Sequence, residues 1–283
     1  MSIRIYTDSG ADLELREVES RNIGIIPLTL QMGGKTYRAT PDFPKEKFFQ
    51  LLASVEEFPT TSQPAPAEFE DVFEDARLAG DEVVVITISS ALSGTCQCAR
   101  TAKAIGDYDN VHIIDSLSAT LGQKLLVMEA CNLRDRGFGA AEIKDRIERI
   151  KDRIRIYAAV DTLEYLYKGG RLSKAAAGIG TMAQLKPILT VTKEGTVHVA
   201  GKAIGKGKAA RQVVTFVEKT PIDRRYPAYG VYSGDKTNYL ELCEKLDKIG
   251  VTLTEADGYS LGPAIGAHVG PGAYGIVYIA ASK

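Results

Sequence analysis

Four short apolar stretches are each followed at once by a cluster of Ser, Thr and Asp, and this pattern constrains the fold more than any other feature. The stretches with their clusters are Ile3 to Tyr6 with Thr7-Asp8-Ser9, Val83 to Ile88 with Ser89-Ser90, Val111 to Ile114 with Asp115-Ser116, and Ile154 to Val160 with Asp161-Thr162. Amphipathic helices lie between them, as in Gly139 to Arg153, where isoleucines recur at helical spacing. Short buried strands that alternate with such helices predict an α/β fold with a mainly parallel sheet.

The polar clusters also predict a binding crevice. In an open parallel sheet the carboxyl ends of the strands meet at one edge, where ligands bind because helix amino termini converge there. We therefore expect the four clusters to share one crevice. The stretch SSALSGTCQCA, from Ser89 to Ala99, has two readings: its hydroxyls cap the next helix, or they bind a ligand.

The sequence pattern changes after about residue 160, where strand-like stretches are separated by short turns that contain glycine. These stretches are Pro187 to Thr192, Thr196 to Ala200, Ala228 to Tyr232, Val251 to Ala256 and Gly275 to Ala280. We predict an N-terminal α/β domain over residues 1–158, with a mainly parallel sheet flanked by helices. A second, smaller α/β domain is predicted over residues 159–283, with the ligand between the two.

Composition excludes several classes of protein. The chain has 283 residues, is 45% hydrophobic and 25% charged, and carries a formal net charge of -1, which gives no global attraction to nucleic acid or anionic membranes. No stretch approaches the roughly 18 apolar residues of a spanning helix, and no apolar leader precedes Asp8. We expect a cytoplasmic protein with no nucleic-acid partner and no stable membrane insertion.

Cysteine and histidine are few. The four cysteines, Cys96, Cys98, Cys131 and Cys243, match neither a zinc spacing nor a CxxC pair, so we expect free and mostly buried thiols. Three histidines argue against a histidine-built metal site, and we expect neither a metal nor a cofactor. Of the three histidines, His268 is the candidate for a functional role. It lies in GPAIGAHVGPG, which we interpret as a loop whose glycines allow the backbone to approach a ligand closely.

Three further loops could meet a phosphate or a carboxylate: TTSQPAP at Thr60 to Pro66, YKGGRLS at Tyr167 to Ser173, and GKAIGKGK at Gly201 to Lys208. None is a Walker loop, and no GxGxxG follows the first strand, so neither ATP nor NAD binding is supported. Asp8 and Asp12 lack the DxD spacing of an aspartyl-phosphate enzyme. Asp12 is expected to cap or charge the first turn of its helix.

A serine esterase is an alternative, because Ser93, then Asp115 or Asp161, then His268 follow the chain order of α/β-hydrolases. The nucleophile elbow GxSxG would need glycine at positions 91 and 95, where the chain has Ala91 and Thr95.

Seven motifs in sequence resemble those of the DegV family across nearly the whole chain. They are TDSGADL at Thr7 to Leu13, TTSQPAP at Thr60 to Pro66, SSALSGT at Ser89 to Thr95, IDS at Ile114 to Ser116, KGGRLS at Lys168 to Ser173, KPIL at Lys186 to Leu189, and GPAIGAHVGPGAYG at Gly262 to Gly275. The resemblance implies a two-domain α/β protein that holds one long-chain fatty acid, such as a C16 or C18 acid, between its domains.

The family also implies a partner. Such proteins offer the carboxylate to a separate, ATP-binding fatty acid kinase subunit that forms an acyl phosphate, so this chain is expected to have no activity alone. Matched motif by motif, Thr61 with Ser62 and Ser93 with Gly94 would hold the carboxylate, and His268 would complete the polar end. A buried carboxylate requires several such donors.

Two residues bear on the kinase. Arg171 would steady the transferring phosphoryl group or contact the kinase subunit, as its guanidinium geometry allows. Family members often have arginine where this sequence has Ile204, between Lys202 and Lys206. A kinase-independent fatty acid carrier or sensor is therefore a further alternative.

Overall fold

A computed structural model of the protein describes residues 2–173 and 184–282. The strands are β1 (Ile3–Asp8), β2 (Ile23–Ile26), β3 (Thr29–Met32), β4 (Lys35–Arg38), β5 (Thr60–Ser62), β6 (Glu82–Thr87), β7 (Val111–Asp115), β8 (Ile154–Ala159), β9 (Leu185–Val191), β10 (Val197–Ile204), β11 (Tyr229–Tyr232), β12 (Gly258–Ser260) and β13 (Tyr274–Ile279). The helices are α1 (Leu15–Ser20), α2 (Lys45–Ser54), α3 (Pro66–Ala79), α4 (Thr95–Gly106), α5 (Thr120–Asp135), α6 (Ala140–Lys151), α7 (Glu164–Lys168), α8 (Lys206–Lys219), α9 (Thr237–Asp247) and α10 (Pro263–Val269).

The N-terminal sheet is parallel and has the order β2-β1-β6-β7. Its central strand β6 is a continuous apolar run because both of its faces are covered. Val83 and Val85 pack with residues of α3 and α4, while Val84 and Ile86 pack with residues of α5 and α6. The predicted helix-flanked parallel sheet is confirmed.

The second sheet has the order β10-β9-β8-β13-β11-β12 and is antiparallel except for the β11–β12 pair. One face is covered by α8 and α9. The opposite face packs into the same core as the N-terminal sheet, through Ile154, Ile156, Val277 and Ile279. The predicted two-sheet α/β class is therefore confirmed.

Helix α5 lies between the two sheets. It contacts β1 and β6 of the first sheet and β8 and β13 of the second. Even its polar residues Gln123 and Lys124 are fully buried. A small antiparallel sheet, in the order β4-β3-β5, packs through Leu30 and Met32 against α2 and α10.

Two expectations about the strands are wrong. Residues 251–256 do not form a strand, because Thr254 caps a 3-10 turn at Glu255–Asp257: Asp257 Oδ2 accepts from the Thr254 amide at 2.8 Å and from its hydroxyl at 2.7 Å. The strand in this region is instead the short β12.

The second wrong expectation is that all four polar clusters lie at the carboxyl edge of one parallel sheet. Three of the polar clusters follow parallel strands of one sheet, but Asp161 and Thr162 follow β8, which belongs to the second sheet and is antiparallel to both neighbours. Asp161 pairs with Lys186 at 2.7 Å. The predicted domain boundary at residues 158 and 159 falls within β8 and stays a prediction.

All four cysteines are free and buried, as predicted. Across residues 2–173 and 184–282, every helix is too short or too polar to cross a bilayer. The same part of the chain contains no group of three or more side chains that could hold a metal ion.

Candidate functional site

A cavity lies between the two sheets, and together with the part of its entrance that is open to solvent it contains about 950 Å³ of empty space. Apolar side chains make most of its wall; they include Ile156 and Ala158 of β8, Val160 directly after β8, Leu189 and Val191 of β9, Val197 of β10, and Ile265 and Val269 of α10. Polar side chains that also line it are Thr61, Gln63, Ser93, Thr120, Arg171, Thr190 and His268. The cavity suits a ligand with a long apolar body and a polar group.

Thr61 and His268 form the central polar pair. The Thr61 Oγ1 atom lies 2.7 Å from His268 Nε2, which links β5 to α10. His268 is 9% exposed, and burial together with the nearby Arg171 charge lowers its pKa to about 4. The imidazole is therefore neutral near pH 7. With its proton on Nε2 it donates to Thr61, which leaves the Thr61 hydroxyl proton available to an anion in the cavity.

Glycine at position 169 makes room for this imidazole. A Cβ atom there would lie 2.1 Å from His268 Nδ1, so any side chain would collide with the ring. The backbone of Gly169 has an ordinary negative φ, so space rather than conformation requires glycine. His268 Nδ1 is buried and makes no hydrogen bond among the described residues.

Ser93 and Gly94 come directly before α4, and Ser93 lines the same cavity as Thr61 and His268. The Ser93 hydroxyl lies 2.8 Å from Thr95 Oγ1. A Cβ at Gly94 would lie 1.9 Å from Gln63 Oε1, so glycine here allows the Gln63 side chain to reach the cavity. Gln63 Nε2 in turn lies 2.8 Å from Cys98 Sγ.

Arg171 joins the two polar regions. Its Nε atom donates to the Leu92 carbonyl at 2.9 Å and its Nη1 atom donates to the Gly169 carbonyl at 2.6 Å. The half-buried guanidinium lines the cavity, and burial lowers the pKa of Arg171 from its usual value. A fixed positive charge is thus held beside Thr61, Ser93 and His268.

The structure separates Ser62 from this group. Consecutive residues of a strand point to opposite faces. Thr61 of β5 points into the cavity, whereas Ser62 is exposed and does not line it. Its role in binding the carboxylate stays a prediction.

Asp12 supports the site from behind. Its carboxylate accepts from the Gly262 amide at 2.9 Å, directly before α10, and from the Thr120 hydroxyl at 2.6 Å. The expectation that Asp12 caps its own helix is wrong, because Glu14 is the residue before α1 and the Asp12 side chain is turned toward α5 and α10. Thr120 itself lines the cavity, so Asp12 fixes two parts of its wall.

The polar group does not have the geometry of a serine hydrolase. His268 Nε2 bonds to Thr61 rather than to Ser93, and its other nitrogen meets no carboxylate among the described residues. A triad needs a base that touches the nucleophile and a third group that orients the base. This arrangement disfavours the esterase alternative.

Sequence reasoning missed most of the cavity wall. Gln63 lies within the motif TTSQPAP, but the apolar residues of the cavity wall have no local sequence pattern that indicates a ligand. The one available signal was alternation: Ile156, Ala158 and Val160 fall at every second position of one strand-like stretch.

The segment GKAIGKGK, from Gly201 to Lys208, lies partly in β10 and partly in α8. Ile204 is the last residue of β10 and is 54% exposed. It does not line the cavity.

Known proteins are similar to this chain in sequence and architecture over nearly their full length. The sequence model described as "Uncharacterised protein, DegV family" matches residues 2–281. A DegV domain-containing protein of Caldanaerobacter subterraneus is 35% identical over 276 residues, which is 98% of both chains.

Solved structures agree with the sequence comparison. A DegV family protein of Thermus thermophilus, described by its fatty acid binding, is 33% identical, has a TM-score of 0.88, and is matched over 99% of this chain and 100% of its own. A stearic acid-binding protein of Eubacterium ventriosum is 26% identical, with a TM-score of 0.87 over 99% of this chain and 98% of its own.

Proposed function

The chain belongs to the DegV family, and we propose that it binds one long-chain fatty acid in the cavity between its sheets. The observation that carries the proposal is the cavity itself, which is apolar along β8 and β9 and has Thr61, Ser93, Arg171 and His268 at one place on its wall. The fatty acids bound by the structural relatives support the same ligand class.

The carboxylate would be bound by the polar residues. The Thr61 hydroxyl, oriented by neutral His268, donates one hydrogen bond, and the Ser93 hydroxyl with the amide of Gly94 supplies others. Arg171 offsets the negative charge. Hydrogen bonds to an ionised acceptor are shorter and stronger than neutral ones, so this set can hold a carboxylate that would otherwise be costly to bury.

The acyl chain would provide most of the affinity. About 14 buried methylenes at ~0.8 kcal/mol each give an upper limit near 11 kcal/mol before the costs of ordering the ligand are subtracted. The polar residues then determine the position and orientation of the ligand in the cavity.

The protein would present this carboxylate to a separate, ATP-binding kinase subunit. A carboxylate oxygen would attack the γ-phosphorus of ATP, with ADP as the leaving group and an acyl phosphate as the product. Arg171 would stabilise the transferring phosphoryl group or contact the kinase subunit. Such a partner would place the protein in the cytoplasm, and the chain would have no activity alone.

Titration of delipidated protein with octadecanoic acid tests the binding proposal. The wild-type protein should bind one equivalent, and Thr61→Val should weaken binding about tenfold, the effect of one charge-assisted hydrogen bond. Saturable binding that is unaffected by Thr61→Val and by Ser93→Ala would contradict the proposed carboxylate site.

Incubation of the loaded protein with a cognate kinase subunit and ATP tests the second step. Acyl phosphate formation that is lost in Arg171→Met supports it. Tight binding without any acyl phosphate would favour the carrier alternative, for which the exposed Ile204 is the specific observation.

A further inference from the structure

A second cavity adjoins the far end of the first, and together with its solvent-open part it contains about 590 Å³ of empty space. Ile156, Thr190 and Val191 line both cavities and form the wall between them. In the first cavity, Ile156 and Ala158 lie on one face of β8 and Val160 follows directly after the strand. Val160 packs near Leu166 and near Leu172, the residue after Arg171. Four residues of strand span about 13 Å, so Ile156 marks the end away from the polar group.

Divergence of two strands creates this second cavity. β8 pairs with β9 at Ala158 and Ala159, but the pairing stops before Ile156 and Tyr157. The gap between β8 and residues 190–193 is therefore not closed by a ladder of hydrogen bonds. An acyl chain that continues past Ile156 would therefore pass between two strands that β-pairing does not join there.

The wall of the second cavity is mainly polar and carries several cations, whereas the wall of the first is mainly apolar and carries Arg171 alone among its described lining residues. Its cationic lining residues are Lys151, Arg155 and Lys193, and the carboxylate among its described lining residues is Asp152. Lys151 is neutralised by Glu148 at 2.6 Å. Arg155 donates to the carbonyls of Asp152 and Ile154, and within residues 2–173 and 184–282 neither Arg155 nor Lys193 forms an ion pair.

A buried hydroxyl at the same place has no partner. Ser118 lines the second cavity and is 2% exposed, yet its Oγ atom makes no hydrogen bond among the described residues. Buried polar groups are normally satisfied, so Ser118 leaves one hydrogen-bonding position open among the residues that line this cavity.

We propose that the second cavity binds the distal end of an acyl chain when that end carries a carboxylate, so that the protein accepts long-chain α,ω-dicarboxylic acids. This inference rests on the proposed function, since the first carboxylate and the chain occupy the first cavity. Arg155 and Lys193 would bind the second carboxylate, which would otherwise lose water without compensation.

Calorimetric titration of delipidated protein with hexadecanoic and hexadecanedioic acid at pH 7.5 tests it. The wild-type protein should bind the two acids with dissociation constants within about threefold of each other. The double variant Arg155→Met, Lys193→Met should bind the dicarboxylic acid about tenfold more weakly, as expected for a lost charged hydrogen bond, and hexadecanoic acid as before. Arg155→Lys, which keeps the charge, should stay close to wild type.

The matched control is Arg211→Met, Lys248→Met, which removes two exposed cations outside both cavities. It should leave both constants unchanged. A wild-type protein that binds hexadecanoic acid but binds the dicarboxylic acid a hundredfold more weakly would overturn the inference alone. Failure to bind either acid would overturn the proposed function instead.

Discussion

At the scale of residues, the site depends on a histidine that stays neutral. His268 is buried beside a fixed guanidinium, with Thr61 as its hydrogen-bond partner. A charged imidazole there would face Arg171 without a carboxylate to offset it. Neutral His268 can orient the Thr61 hydroxyl without competing for the ligand.

This environment predicts a pH dependence of stability. The His268 pKa falls from 6.5 in the unfolded chain to about 4 in the folded protein, so protons bind the unfolded state first as the pH drops below 6.5. Between pH 7.5 and 5, this histidine should cost about 2 kcal/mol of stability. His268→Gln should therefore lose about 2 kcal/mol less than wild type over that range in urea unfolding. Parallel losses in both proteins would contradict the neutral, buried assignment.

Gly169 gives a second prediction at this scale. Gly169→Ala places a Cβ against His268 Nδ1, so it should cost about 1–3 kcal/mol of stability and weaken octadecanoic acid binding at least tenfold. Gly207→Ala is the control, because a Cβ at Gly207 in α8 meets no atom within 4 Å and alanine favours a helix. Equal affinities in the two variants would contradict the requirement for space at position 169.

At the scale of elements, the site is made where β5, α4, α10 and the turn after α7 approach each other. The sequence predicted the strand-cluster-helix units, because these depend on local periodicity and turn residues. The interpretation of the segment around His268 as a loop was wrong, because Pro263–Val269 forms α10, with Gly262 at its beginning and Gly270 directly after its end. The sequence also did not predict β12 or the inward position of Thr61 relative to Ser62. Those depend on which neighbour a three-residue strand pairs with, and pairing of distant segments leaves no local pattern.

Asp12 offers a test of how these elements are held. Asp12→Ala leaves the buried Gly262 amide and Thr120 hydroxyl without an acceptor, which should cost roughly 2–4 kcal/mol in chemical unfolding. Fatty acid affinity should fall as well, because α10 carries His268. Asp235→Ala, which removes two similar bonds from an exposed turn, should change neither quantity appreciably. Unchanged affinity in Asp12→Ala would mean that α10 is positioned by packing alone.

At the scale of the whole molecule, a buried ion pair joins the two sheets through α5. Lys124 is fully buried, lies 2.6 Å from Glu17 Oε1 of α1, and sits 3.2 Å above the ring of Tyr259 of β12. The Tyr259 hydroxyl donates to the same glutamate at 3.3 Å. This contact therefore connects the N-terminal half, the central helix and the second sheet.

Breaking one partner of that pair should be costly. Glu17→Gln leaves the Lys124 charge buried and should lower the free energy of unfolding by about 3 kcal/mol at pH 7. Burial already lowers the Lys124 pKa from 10.5 to about 8, so folding is favoured as the pH rises and the loss should shrink toward pH 9.5. Glu74→Gln, in an exposed pair with Arg77, should have little effect. A loss in Glu17→Gln that does not change with pH would contradict this account.

Extraction of the purified protein with organic solvent, followed by mass spectrometry, tests the central claim most directly. Wild-type protein should release about one long-chain fatty acid per chain, and the double variant Thr61→Val, His268→Gln should release much less. The matched control Thr215→Val, His198→Gln changes the same residue types on the exposed surface and should retain the wild-type amount. A wild-type protein that carries no lipid and binds no added hexadecanoic or octadecanoic acid would contradict the account.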